Sequence, residues 1–244
     1  MRNNKSIELK ILVTGTGRCG TVFMARLLTS LGIPCGHESI FNWDGIDGAV
    51  GRLVGSWPIT QSVISQENSE KADWLDLNDI QAESSYMSAP FLSHVILKTT
   101  QLVHIVRHPV QVIDSFINSL GYFSQPEPQD RWESFIFMHL PELKSSSLTN
   151  IDRGALYYLS WNYLIESQLL DRGFYFHRVE DDPPELLNFL GLKSTTSMFD
   201  NKSANTLKEK KKNPEGKFTI DMITSEIIKR ELINIGEKYG YSMD

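Results

Sequence analysis

The sequence predicts an α/β fold, a three-layer sandwich built on a central parallel sheet. Three observations carry that expectation. Short apolar runs alternate with segments of helical spacing, an order that buries a parallel sheet between two helical layers. The first run ends in the glycine-rich stretch Thr14-Gly15-Thr16-Gly17-Arg18-Cys19-Gly20-Thr21. A second run, Leu102 to Val106, ends in Arg107-His108-Pro109, where the proline suits the first position of a helix.

The elements follow in order. Residues 9–14 read as a buried strand. Residues 20–31 read as a helix, with Val22, Phe23, Leu27, Leu28 and Leu31 at helical spacing and Gly32 as its stop. A short strand is expected at 33–35. Residues 42–82 are poorly patterned and read as an insertion with a few short helices. A short helix at 86–92 precedes the strand at 102–106, and Val110, Ile113, Ile117 and Leu120 mark the helix that Pro109 opens. After a polar loop at 125–130, helices are expected at 132–140 and 154–170. A third clear strand is expected at 174–177, and a short helix at 184–190 closes at Gly191. A Lys-rich loop covers 194–217, and an amphipathic helix is expected at 220–239.

Composition bounds the function. The chain has 244 residues, 41% hydrophobic and 22% charged, which predicts one globular domain over residues 1–244. The net charge of -6 excludes the basic field of a nucleic-acid binder, so any anion site must be local. The two cysteines, Cys19 and Cys35, give no disulfide framework and fit a reducing compartment. The polar start lacks the apolar core of a signal peptide, and no apolar run is long enough to span a bilayer. A cytoplasmic protein without a membrane span is therefore expected. Nothing in the sequence sets an oligomeric state.

The glycine-rich stretch has the makings of a phosphate cradle. Gly15 and Gly17 permit backbone conformations that a Cβ would hinder, and Gly20 lets the backbone approach a ligand closely. The helix that follows, beginning near Thr21 and Val22, offers free N–H groups and a positive dipole end. Arg18 adds a planar cation and Thr21 a hydroxyl. The spacing nearly matches the nucleotide-triphosphatase P-loop, which predicts a P-loop nucleotide-hydrolase-like fold. The departure lies at Thr21, where that motif has lysine; here the cation has moved into the loop as Arg18. A phosphoryl-transfer enzyme needs that lysine and usually an acidic metal ligand, and no apolar strand ends in such an Asp. A P-loop kinase or nucleotide hydrolase, and a non-catalytic nucleotide-binding module, remain the competing readings.

Arg107 and Ser115 form a second constellation. Arg107 ends a strand, and Ser115 falls in the second turn of the next helix, so both can face one anion. The pair of stretches resembles the two signatures of the PAPS-dependent sulfotransferase family, PAPS being 3′-phosphoadenosine-5′-phosphosulfate. The resemblance is closer to bacterial and carbohydrate-type members than to cytosolic small-molecule ones. It implies that Gly15, Thr16, Gly17, Arg18, Cys19, Gly20, Thr21 and Val22 hold the 5′-phosphosulfate, and Arg107 and Ser115 the 3′-phosphate. Glu83-Ser84-Ser85-Tyr86, Ala89-Pro90-Phe91-Leu92 and His177-Arg178-Val179-Glu180-Asp181 are similar to segments of bacterial members. Cytosolic members carry a Lys in the loop and a Lys-Thr-His segment with a catalytic His. This chain has Arg18 and Lys98-Thr99-Thr100, so that His is not carried over.

Sulfuryl transfer to a hydroxyl needs a general base within reach of the acceptor proton. In carbohydrate-type members that base is commonly a Glu shortly after the loop's helix, which points to Glu38, with His37 as the alternative. Arg18 would stabilise the charge that grows in the transition state. The resemblance implies a small-molecule or carbohydrate hydroxyl acceptor. No metal is expected, because a sulfuryl group carries less charge than a γ-phosphoryl group and the His and Cys residues show no metal-ligand spacing. Lys208, Lys210, Lys211, Lys212 and Lys217 read mainly as a solvated run, with one of them a candidate contact to the 3′-phosphate. Trp161 and Tyr163 are weighed as adenine-stacking residues against core positions, and Arg178 as a nucleotide contact against a partner for Glu180 or Asp181. Trp43, Trp57 and Trp74 fall in the insertion, where acceptor surfaces often occur.

Overall fold

The computed structural model describes residues 8–59, 80–94, 97, 100–169, 172–193 and 217–243. Five strands, β1 (Ile11–Thr14), β2 (Cys35–His37), β3 (Ala82–Ser84), β4 (Gln101–Val106) and β5 (Phe174–Arg178), form a sheet in the order β2-β3-β1-β4-β5. Every neighbouring pair is parallel. The helices are α1 (Thr21–Ser30), α2 (Gly45–Leu53), α3 (Pro109–Asp114), α4 (Arg131–His139), α5 (Asn150–Leu169), α6 (Pro184–Phe189) and α7 (Glu226–Lys238).

The three layers follow from strand alternation. Ile11 and Val13 of β1, with Val103 and Ile105 of β4, pack on Met24, Leu27 and Leu28 of α1 and on Leu186 of α6. Leu12, Leu102 and Val106 point to the opposite face, into a larger core with Trp161 and Ile165 of α5 and Leu232 and Ile235 of α7. Both faces of the central strands are therefore covered, and the strands read as unbroken apolar runs for that reason. Where β4 carries a polar residue, His104, the ring is fully buried and meets Asn162 Oδ1 at 3.0 Å. Burial pushes the pKa of this imidazole down to about 4, so it sits in the core uncharged. Among the described residues, no helix is long and apolar enough to cross a membrane.

Four sequence expectations are corrected. The strand expected at 33–35 lies at Cys35–His37. Pro34 has no N–H to give, although its carbonyl accepts from Gln81 and Ala82, so the ladder starts after it. The insertion expected at 42–82 contains α2 and ends in β3, whose sequence Ala-Glu-Ser shows no apolar run. The helix opened by Pro109 changes to a π turn at Ser115–Leu120, a local widening that periodicity does not register. The last helix starts at Glu226 rather than 220. The Ser225 hydroxyl caps it by accepting from the Ile228 amide at 3.4 Å, and Asp152 takes the Thr224 amide at 2.9 Å. Residues 60–79 of the insertion, and 194–216 of the Lys-rich loop, lie outside the described residues.

Tight packing under the first loop gives a stability prediction. A Cβ on Gly15 would sit 2.2 Å from the Ile105 carbonyl oxygen, which belongs to a central strand and has no room to yield. Gly15→Ala should lower unfolding stability by about 3 kcal/mol, at the upper end for an overpacked site. Urea denaturation followed by circular dichroism checks this, and an unchanged midpoint would contradict it.

Candidate functional site

The strand order places the site. β1 connects to β2 and β3 on one side of the sheet and precedes β4 and β5 on the other, so a crevice opens at the carboxyl ends of β1 and β4. The glycine-rich loop leaves β1 there, and Arg107 leaves β4 beside it. The two predicted anion stretches meet directly. Arg18 Nε donates to Ser115 Oγ at 3.0 Å, and Arg107 donates to the Arg18 carbonyl at 3.4 Å and to Gln111 Oε1 at 3.0 Å. Arg18, Arg107, His108, Gln111, Ser115 and Lys217 are among the residues that line a cavity of about 500 Å³, within the usual size of a ligand site.

Most of the loop is engaged from below. Trp161 Nε1 donates to the Gly15 carbonyl at 3.1 Å, and the Gly17 amide donates to the Tyr157 hydroxyl at 2.9 Å. A Cβ on Gly17 would meet the Phe116 ring at 2.8 Å, and one on Gly20 would meet Val179 at 2.6 Å. These glycines serve packing against α5, the π turn and the end of β5 as much as approach to a ligand. Arg18 takes a left-handed φ of 65° and Gly20 one of 109°, which turns the chain into α1. Thr16 and Cys19 are buried, and burial pushes the Cys19 thiol pKa up to about 12, so that side chain is an inert part of the core. Thr21 is also buried and Val22 partly so, at the first positions of α1, where amides have no carbonyl one turn earlier.

The charges in the cavity are unbalanced. Burial, and then the like charge of Arg107, lower the proton affinity of Arg18. Among the described residues neither guanidinium pairs with a carboxylate. Asp114 also lines the cavity, but Oδ1 of its carboxylate accepts from Asn118 and from the Phe218 amide, each at 2.8 Å. That second bond ties the segment carrying Lys217 to α3. Two neighbouring cations with no salt-bridge partner among the described residues, and Lys217 as a third, outnumber the one carboxylate, Asp114, and favour a bound anion on Coulombic grounds.

His37 ends β2, on the other side of β1, and Glu38 follows it. The His37 Nε2 lies 3.0 Å from Thr21 Oγ1 and 3.6 Å from Glu38 Oε1, linking the pair to the start of α1. Glu38 has a left-handed φ of 54° and a side chain only 17% exposed. Burial, and then the negative charge of Glu83, push the Glu38 pKa up to about 8. Burial and the nearby Arg26 push His37 down to about 4. Tyr86, whose buried hydroxyl has no hydrogen-bond partner among the described residues, lies within electrostatic reach of Glu38.

Several weighed candidates fall elsewhere. Trp161 is fully buried beneath the loop and cannot stack on a base. Tyr163 is on the outer side of α5, near Glu231 of α7. Arg178 pairs with Asp181 through two bonds of 2.8 and 2.6 Å and donates to the Gly240 carbonyl, the carboxylate partnership weighed for it from the sequence. Trp57 packs over Arg52, and Trp43 is 38% exposed. Trp74, Lys98, Thr99, Lys208, Lys210, Lys211 and Lys212 lie outside the described residues. Thr100 donates to the Leu9 carbonyl at 3.0 Å, a structural bond. Sequence reasoning missed Tyr157, which supports the loop across 140 positions of chain, and assigned no role to Glu83.

No family model matches the sequence, and no curated protein matches it. Among solved structures, the chain is similar to a sulfotransferase domain from the curacin biosynthetic pathway, with 13% identity and a TM-score of 0.49, covering 98% of this chain and 100% of that one. It is also similar to a sulfotransferase domain from the Synechococcus PCC 7002 olefin synthase, with 14% identity and a TM-score of 0.45, covering 100% of this chain and 99% of that one.

Proposed function

We propose that this chain is a sulfotransferase that moves a sulfuryl group from PAPS to an acceptor hydroxyl. The observation that carries the reading is the pair Arg18 and Arg107, neither in a salt bridge among the described residues, bonded into one cavity at the β1–β4 crevice, with a carboxyl of raised proton affinity, Glu38, linked through His37 to the start of α1. The residues fit such a donor. Arg18 with the amides that open α1 would hold the 5′-phosphosulfate, and Arg107, Ser115 and Lys217 the 3′-phosphate. ATP has no group for the second of these stations.

PAPS supplies the sulfuryl group and leaves as 3′,5′-ADP. Glu38 takes the acceptor's proton as the new O–S bond forms, and a base of pKa near 8 is well matched to that task at neutral pH. His37, held near 4, is a poor proton acceptor and serves better as the link between Glu38 and Thr21. Arg18 meets the charge that passes to the leaving oxygen. A carboxylate base at this position favours a carbohydrate hydroxyl as acceptor, by the resemblance drawn from the sequence. The free, buried thiols of Cys19 and Cys35 accord with a cytoplasmic setting.

Calorimetry with 3′,5′-ADP, ATP and 5′-AMP tests the reading. 3′,5′-ADP should bind best, and Arg107→Ala should lower its affinity about 10-fold or more while leaving 5′-AMP little changed. Equal affinity for ATP and 3′,5′-ADP would remove the 3′-phosphate station and with it the sulfotransferase reading.

A further inference from the structure

Glu83 is fully buried in the middle of β3, in register with Gly36 of β2 and Leu12 of β1. One of its oxygens accepts from the amides of Ile40 at 3.0 Å and Phe41 at 3.4 Å, and Ser39 adds a backbone bond. The other oxygen has no partner among the described residues and fills the space that Gly36 leaves, since a Cβ there would sit 2.2 Å from it. From α2, buried Arg52 grips the same turn by its carbonyl side, donating to the Ile40 carbonyl at 2.8 Å, to Asn42 Oδ1 at 3.2 Å, and to Asp44. The turn so held is the one that follows Glu38, whose left-handed backbone is uncommon for a residue with a Cβ and persists only where its surroundings enforce it.

Building on the sulfotransferase reading, we propose that Glu83 is the positioning residue of the Glu38 base. It holds the turn that keeps Glu38 beside His37 and the loop, and its negative charge behind Glu38 sets how readily that carboxyl takes a proton. The ionisable groups around the pair are Cys35 and His37 on β2, Arg52 on α2, Tyr86 after β3 and Tyr157 on α5. Of these, Arg52 opposes the charge of Glu83, while Glu83 raises Glu38. Burial alone holds the Glu83 pKa up at about 7, so both carboxyls change charge in one pH range and their titrations are coupled.

The test is carboxyl NMR on the whole chain, with selectively labelled Glu, alongside the pH profile of kcat/KM. In the wild type the Glu38 titration should be biphasic, carrying a second inflection from Glu83. In Glu83→Gln, which keeps the acceptor oxygen for the turn, the Glu38 midpoint and the acid limb of kcat/KM should both fall by about one pH unit. A single-site wild-type curve, or an unmoved midpoint in the variant, overturns the proposal, and the wild-type arm stands if the variant fails to fold. A shifted Glu38 titration in a chain that transfers no sulfuryl group would sink the functional reading and leave the role of Glu83 intact.

Discussion

Glu38→Gln is expected to reduce kcat by about 10³-fold, in the middle of the range for removing a general base, while 3′,5′-ADP binds unchanged. The residue is not among those that line the Arg18–Arg107 cavity, so donor affinity should not depend on it. In the wild type, kcat/KM should rise with pH up to about 8, because the base must be ionised and its carboxyl is held protonated below that. That limb should vanish in the variant. Stability supplies the control. A carboxyl raised from its ordinary 4.5 to about 8 stabilises the fold fully below the unfolded value, and that contribution is lost as pH rises through 8. Glu38→Gln cannot ionise, so its melting temperature should exceed that of the wild type above pH 8. Loss of turnover together with this gain assigns the defect to chemistry and not to unfolding. Unchanged turnover would move the base assignment away from Glu38.

Arg18→Ala is expected to reduce kcat by about 10²–10³-fold, the usual loss when one preorganised donor to a developing anion is removed. Its Nε bond to Ser115 and the Arg107 bond to its carbonyl fix the guanidinium at the cavity wall before any ligand arrives. The fold should survive. The change relieves the repulsion from Arg107 that already lowers the proton affinity of Arg18, and the side chain forms no salt bridge among the described residues. Thermal melting should therefore stay close to the wild type while steady-state transfer collapses. Arg18→Lys keeps a charge but loses the planar fork, so partial recovery would separate charge from geometry. A variant with full transfer would show that the loop arginine is no part of the reaction.

The central sheet was legible because its strands are buried on both faces. Ile11, Leu12 and Val13, like Leu102 to Val106 around His104, must be apolar on either side, and that leaves a run visible without any knowledge of the fold. β3 was not legible. Its glutamate and serine are buried and bonded to partners far along the chain, one oxygen of Glu83 to the amides of Ile40 and Phe41 and Ser84 to the Thr21 carbonyl. Local pattern carries no trace of bonds that span 42 to 63 positions. The start of α7 was misplaced for a similar reason, since Asp152 of α5 captures the backbone just before it.

The sequence by itself determined the α/β alternation, the Gly-rich turn after β1, the arginine ending β4 and the carboxylate after β2. Each is a local consequence of residue type: apolar periodicity, glycine's backbone freedom, and a charge placed at a strand end. Tertiary structure alone decided how those pieces combine. The order β2-β3-β1-β4-β5 puts the ends of β1 and β4 side by side, so that Arg18 bonds Ser115 across 97 positions of chain. It also decided proton affinity. Glu38 and His37 are neighbours in sequence, yet burial next to Glu83 drives one up and burial near Arg26 drives the other down. Electric fields and desolvation depend on what surrounds a group in space, and only the folded chain fixes that.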